Sequence, residues 1–208
     1  PATWEVMFPA AARTPAEIER ARAETGQRLD WANRLAPEFM RIHPIAPDLP
    51  QECIAITAQA FMSIQFHTTH DVRSYQDWFE EAPQALGFDF HRRFLQHLQA
   101  KTTAMDGGSA ANAGAICGSG SRWVLKAPGH LFALEGLLQR YPDARIVHTH
   151  RDPTRVIASM ASHATVLRKA FSDDADPHTI AVDWADRWAR ALDRFLAVRD
   201  RTPQAQFL

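Results

Sequence analysis

The sequence predicts an α/β fold built on a small parallel sheet with flanking helices, and three stretches carry that prediction. Arg122-Trp-Val-Leu-Lys-Ala127 is short, apolar and bounded by Pro128-Gly129, as a strand should be. Leu131, Leu134, Leu137 and Leu138 then recur at helical spacing and stop at Tyr141-Pro142-Asp143. Arg145-Ile-Val-His-Thr-His150 reads as a second strand, with Ile146-Val147 suited to burial on both faces. Strand, helix and strand in that order imply a parallel unit with a right-handed crossover.

Upstream of this unit the chain reads as helical. Thr14 is a helix cap with Glu17 three residues on, and that helix runs through Trp31 toward Pro37. Pro44, Pro47 and Pro50 make a rigid loop. Glu52 to about Phe66 reads as one buried helix, because Ile54, Ile56, Ala58, Phe61, Met62 and Ile64 leave little polar surface. Two further helical pieces follow at Val72 to Phe79 and Phe88 to Leu98. Tyr75, Trp78 and Phe79 suit core packing or the wall of an apolar acceptor pocket. Residues 102–121 turn to Ala, Gly and Ser and read as a flexible insertion.

Downstream, Asp152 caps a helix with Pro153 at its first position, and Val156, Ile157, Met160, Ala164, Leu167 and Phe171 continue it. A last long helix opens at Asp176 or Pro177 and carries an apolar stripe of Ile180, Trp184, Trp188, Leu192 and Phe195. All of this fits one domain over residues 1–208, long enough to bury a core.

The chemistry lies at the predicted strand ends. Lys126 and Arg151 each end a strand, where open α/β sheets bind ligands. Ser159 sits roughly 10 Å beyond Arg151 at about 1.5 Å per helical residue. An arginine can fold back over that distance and share one anion with the hydroxyl, supplying an always-charged fork beside a directional donor. His130 follows Pro128-Gly129 at a helix start and titrates near working pH, so it reads as a capping histidine or a general base. Glu52 is a second candidate base, or an ordinary helix-start carboxylate favoured by the macrodipole; His43 flanks the same proline loop.

Lys126-Ala-Pro-Gly-His130, Tyr141-Pro-Asp-Ala-Arg-Ile146 and His150-Arg-Asp-Pro153 with Ser159 together resemble the bacterial sulfotransferase family, relatives of the P-loop kinases. The upstream stretches Pro50-Gln-Glu-Cys-Ile54 and Tyr75-Gln-Asp-Trp78 resemble its helical part. The resemblance implies a P-loop-kinase-like sheet and transfer of a sulfuryl group from 3′-phosphoadenosine 5′-phosphosulfate (PAPS) to an acceptor hydroxyl or amine, with no metal. It implies that Arg151 and Ser159 bind the donor's 3′-phosphate and that Lys126 acts at the departing group. Members of the cytosolic branch carry a histidine two residues after that lysine; here His130 stands four residues on.

One departure is large. The family's first loop, of the type Pro-Arg-Ser-Gly-Thr-Thr, holds the 5′-phosphosulfate, and the sequence contains neither it nor a Walker-type loop. The expectation is an internal fragment without the first strand and the C-terminal part, and inactive by itself. Two other readings stand beside it: a P-loop nucleotide kinase or NTP hydrolase, which needs a Walker loop and Mg²⁺ ligands, and a degenerate module that binds nucleotide without catalysis.

Composition narrows the partners. A net charge of −1 gives no general attraction to nucleic acid. No apolar run reaches membrane-span length. Cys53 and Cys117 are too few for a disulfide framework, which makes the reducing cytoplasm the default expectation. His148 and His150 share a strand face but lack carboxylate or thiol partners at ligand spacing, so no metal site is expected. His150-Arg-Asp152 matches the start of a kinase catalytic loop, but Ile157 stands where that loop needs Asn. A small-molecule, lipid or sugar acceptor remains open.

Overall fold

A computed structural model describes the backbone of residues 1–9, 14–105 and 122–208. Its helices are α1 (Thr3–Met7), α2 (Pro15–Leu35), α3 (Phe39–Ile42), α4 (Cys53–Ala58), α5 (Gln65–Thr69), α6 (Arg73–Glu81), α7 (Ala85–Met105), α8 (Leu134–Arg140), α9 (Pro153–Lys169) and α10 (Pro177–Asp200). A 3-10 turn at Pro128–Phe132 precedes α8.

The capped starts form as the local chemistry dictates. Thr14 and Glu17 exchange the reciprocal bonds of a capping box at α2. The Asp152 carboxylate accepts from the Thr154 N–H at α9, and Asp176 accepts from the Thr179 N–H at α10. α9 and α10 pack against each other over the main core, in which Trp184 and Ala164 are completely buried among Met62, Ile64, Phe79 and Phe132. α7 and α8 approach so closely that a Cβ on Gly136 would fall 2.7 Å from the Ala85 nitrogen.

A buried ionic network joins four helices. Arg187 of α10 reaches Glu80 and Asp77 of α6, each at 2.8 Å, and Asp183 of its own helix. Asp183 pairs with the fully buried His67 of α5 at 2.7 Å. Arg168 of α9 donates to the His67 carbonyl at 2.6 Å. Each of these cations has lost its water, and the carboxylates and carbonyl replace it.

Three sequence expectations change here. The predicted helix from Glu52 to Phe66 is broken in two. α4 ends in a Schellman arrangement, with the Phe61 N–H donating to the Ala58 carbonyl and the Met62 N–H to the Thr57 carbonyl, each at 3.0 Å. Phe61 takes the left-handed position, φ 54°, normally held by glycine. An L-residue there costs about 1–2 kcal/mol. Within the segment predicted as an insertion, α7 continues to Met105, and residues 106–121 lie outside the described residues.

The third change concerns the sheet. Among the described residues the predicted strands are extended segments rather than ladders. Ile146 forms an isolated parallel bridge with Phe207, through Ile146 N–H to the Gln206 carbonyl and Leu208 N–H to the Ile146 carbonyl. Burial alternates along both segments with the period of two that strand geometry demands. Trp123 and Leu125 pack inward, whereas Val124 is 94% and Val147 67% exposed. The expectation that Ile146-Val147 is covered on both faces therefore fails: only the inner face has neighbours in the described chain.

Candidate functional site

The extended segment 122–127 turns Lys126 outward, and its ammonium forms an ion pair with Glu52, 74 residues away in sequence. The contact is anchored by the backbone: the Cys53 N–H donates to the Lys126 carbonyl at 3.0 Å, tying the start of α4 to the end of the segment. Glu52 is the extended cap residue of α4, and its own N–H donates to the Gln51 side chain at 2.9 Å. Its carboxylate is largely shielded from water.

Two histidines complete this cluster. His43, at the end of α3, brings Nε2 to 3.5 Å from the Glu52 carboxylate and stacks on Phe39. His163 of α9 meets Phe39 and His43 edge-on, with ring centroids at 5.5 and 6.4 Å. Burial holds His163 below the ordinary histidine range; His43 pushes the same way, Glu52 pulls back up and Lys126 lowers it further. Sequence reasoning named Lys126, Glu52 and His43 but missed His163. A signal was available, since His163 lies four residues after Ser159 and thus on the same face of α9.

Arg151 and Ser159 are solvent-exposed, and neither side chain has a hydrogen bond or ion pair among the described residues. Arg155, one turn before Ser159, is exposed and equally free. Arg155, Ser159 and His163 recur every four residues, so one face of α9 runs from the unpaired guanidinium groups to the Glu52 cluster. From Ser159 to His163 the rise is about 6 Å. Unpaired guanidinium groups beside an exposed hydroxyl suit a phosphate.

His130 turns the other way. Its ring packs against Phe88 with centroids 5.9 Å apart, and its Nε2 is buried without a partner. It lines a small cavity of about 20 Å³ with Cys53, Thr57 and Ser63, close to the volume that one water occupies. Burial, and then the Lys126 charge, hold His130 down to about 4. Nearby His91 shares a 2.7 Å hydrogen bond with the Tyr141 hydroxyl and is also held down to about 4, chiefly by burial.

This pair has a consequence for stability. Both histidines ionise lower in the folded chain than the usual value of about 6.5 in the unfolded one. The unfolded state therefore binds more protons through this window, and stability is expected to be complete above pH ~6.5 and to fall as pH drops toward about 4. Urea midpoints taken near pH ~7.5 and near pH ~5 check it: an equal midpoint at both would contradict neutral burial of the pair.

Among the described residues no group of three or more His, Cys, Asp or Glu side chains is placed to hold a metal ion. No described helix is long and apolar enough to cross a membrane.

The family model described as "Sulfotransferase family" matches residues 1–208. The crystal structure of the sulfotransferase STF1 from Mycobacterium tuberculosis H37Rv is similar to this chain, with a TM-score of 0.77 and 28% identity. The similarity covers 99% of this chain and 53% of that one, so the chain spans about half the length of that relative. The likeness supports an α/β fold. Comparison with curated proteins found no match.

Proposed function

The chain belongs to the sulfotransferase family, and from that premise we propose that it supplies the Lys126–Glu52 centre of a site that moves a sulfuryl group from PAPS to an acceptor hydroxyl or amine. The observation that carries the reading is the direct contact of Lys126 with Glu52. One provides a cation and the other a base at a single point.

The acceptor heteroatom attacks sulfur in line. A new bond to sulfur forms as the bond from sulfur to the bridging phosphate oxygen breaks, and adenosine 3′,5′-bisphosphate (PAP) departs. Negative charge grows on that oxygen, where the Lys126 ammonium stabilises it. The acceptor's proton passes to the Glu52 carboxylate. His130 is the weaker candidate for that step, because its free nitrogen is buried and faces the small cavity beside Phe88 rather than the Lys126–Glu52 contact. Arg151 and Ser159 hold the donor's 3′-phosphate. The parallel sheet of the family, which would begin from the Ile146–Phe207 bridge, and a single domain over residues 1–208 belong to the same reading.

Calorimetric titration with PAP and with adenosine 5′-monophosphate tests the donor assignment. Arg151→Ala is expected to weaken PAP strongly, since it removes a charge-assisted fork. Ser159→Ala is expected to cost less, about 0.5–1.5 kcal/mol for one ordinary hydrogen bond. Equal losses for both ligands would show that neither residue reads the 3′-phosphate.

A further inference from the structure

A second surface stands apart from the Lys126–Glu52 contact, at the far end of α4. Phe61 is 68% exposed although its backbone sits in the strained left-handed region. Its ring lies nearly parallel to that of Phe66, with centroids 5.5 Å apart and planes at 7°. Phe66 meets Tyr75 edge-on at 5.2 Å, and Tyr75 meets Trp78 at 5.6 Å. Trp78 is 51% exposed. The Tyr75 hydroxyl donates to the Phe61 carbonyl at 2.8 Å and accepts from the Ser63 N–H at 3.1 Å, so the strained turn is pinned to α6.

The strain identifies this as a built feature. Glycine would close the same Schellman turn without cost. A phenylalanine that stays mostly in water recovers little burial in return. Strain of this kind points toward function when the fold gains little from it.

The surroundings select the occupant. Ser74 and Glu81, both exposed, lie four residues before and three after Trp78 on α6, so a hydroxyl and a carboxylate flank the indole on the same helix face. Gln65, beside Phe66, is exposed as well. The exposed charges here are close to balanced: Asp71 pairs with Arg73 and with the buried Arg168, and Asp77 with the buried Arg187, which leaves Glu81 beside the platform. With no cationic excess, the surface has no attraction for anionic lipid surfaces or nucleic acid. A neutral pyranose has what the surface lacks: an apolar C–H face for the electron-rich ring faces, and rim hydroxyls for the carboxylate, hydroxyl and amide.

We propose that Phe61, Phe66, Tyr75 and Trp78 form a platform for the sugar rings of a neutral glycan, which, resting on the sulfotransferase reading, is the acceptor held at a distance from Glu52. α4 itself spans about 9 Å, so a glycan of several rings has the reach to lie on the platform and extend toward the carboxylate.

The test titrates the protein with cellohexaose, maltohexaose and chitohexaose, following tryptophan fluorescence and heat, and separately with PAP. At least one hexasaccharide is expected to bind. Phe61→Gly and Trp78→Ala are each expected to weaken it about tenfold, the scale of one aromatic contact. Phe61→Gly should leave the melting temperature unchanged or raised, since it relieves the turn. A lowered melting temperature would mean that Phe61 serves the fold and would overturn the proposal. So would binding that neither variant disturbs, or binding of phosphatidylcholine vesicles in place of every glycan. Failure of PAP alone, with glycans bound, would count against the sulfotransferase reading and leave the platform standing; glycan failure with PAP bound would do the reverse.

Discussion

Glu52→Gln is expected to lower kcat for sulfuryl transfer by about 10²–10⁴-fold, the usual contribution of a general acid–base group. The assay is PAPS-dependent transfer by the protein that carries this chain. Glutamine keeps the size of the side chain and its ability to accept from Lys126, so the arrangement around the contact survives while the proposed base is lost. The donor KM is expected to change little, because the proton is taken only as the acceptor attacks. Lys126→Ala tests the other half of the contact and should likewise depress kcat more than it raises the donor KM. A Glu52→Gln protein with near-normal kcat would transfer the base role to another group, and an effect confined to KM would make Glu52 a binding residue.

The largest stability effect is expected at Arg187. Its guanidinium is buried against Asp77, Glu80 and Asp183, and the Glu80 side chain is only 5% exposed. Arg187→Ala removes the principal counter-charge and leaves that carboxylate in the interior with the more exposed Arg190 as its counter-charge and the neutral Gln76 amide as a donor. Breaking a buried pair from one side costs about 3–5 kcal/mol. For a chain of this size that is a loss of about 6–20 °C in melting temperature. Calorimetry of Arg187→Ala beside Arg187→Met/Glu80→Gln checks the cause: removing both partners together should cost less than stranding one of them. If the double variant melts no higher than the single one, the stranded charge is not what destabilises the protein.

The same network connects to the candidate site. Arg168 and Ser159 stand on one helix, α9, and Arg168 is held by the His67 carbonyl. α9 also carries His163 against Phe39 and His43. Its placement against α5 and α10 therefore sets where the row of exposed Arg155 and Ser159 and partly buried His163 faces. No residue of this row is in direct contact with Arg187, so a loss of stability at Arg187 should leave PAP affinity intact in the fraction that remains folded.

The sequence by itself determined the features governed by neighbours a few residues apart. The starts of α2, α9 and α10 were legible because a cap is a bond from Thr14, Asp152 or Asp176 to a nitrogen within three residues. The apolar stripe of α10 was legible for the same local reason except at Leu192, which is exposed while Ala191 takes the buried position, and the Lys126, Arg151 and Ser159 pattern carried the family resemblance. Tertiary structure decided the rest. The Lys126–Glu52 contact spans 74 residues, and no periodicity encodes which loop meets which strand end. His163 joins that contact only because α9 packs beside α3. The apolar run at Glu52–Phe66 looked continuous, yet Tyr75 of α6 and the turn bonds around Phe61 break it. Val147 looked like an interior residue because its side chain is apolar, but burial depends on what lies opposite, and a side chain does not carry that information. His130 turned inward on the same ground: packing beside Phe88 buried its Nε2 and lowered its basicity, an outcome that only its surroundings could set.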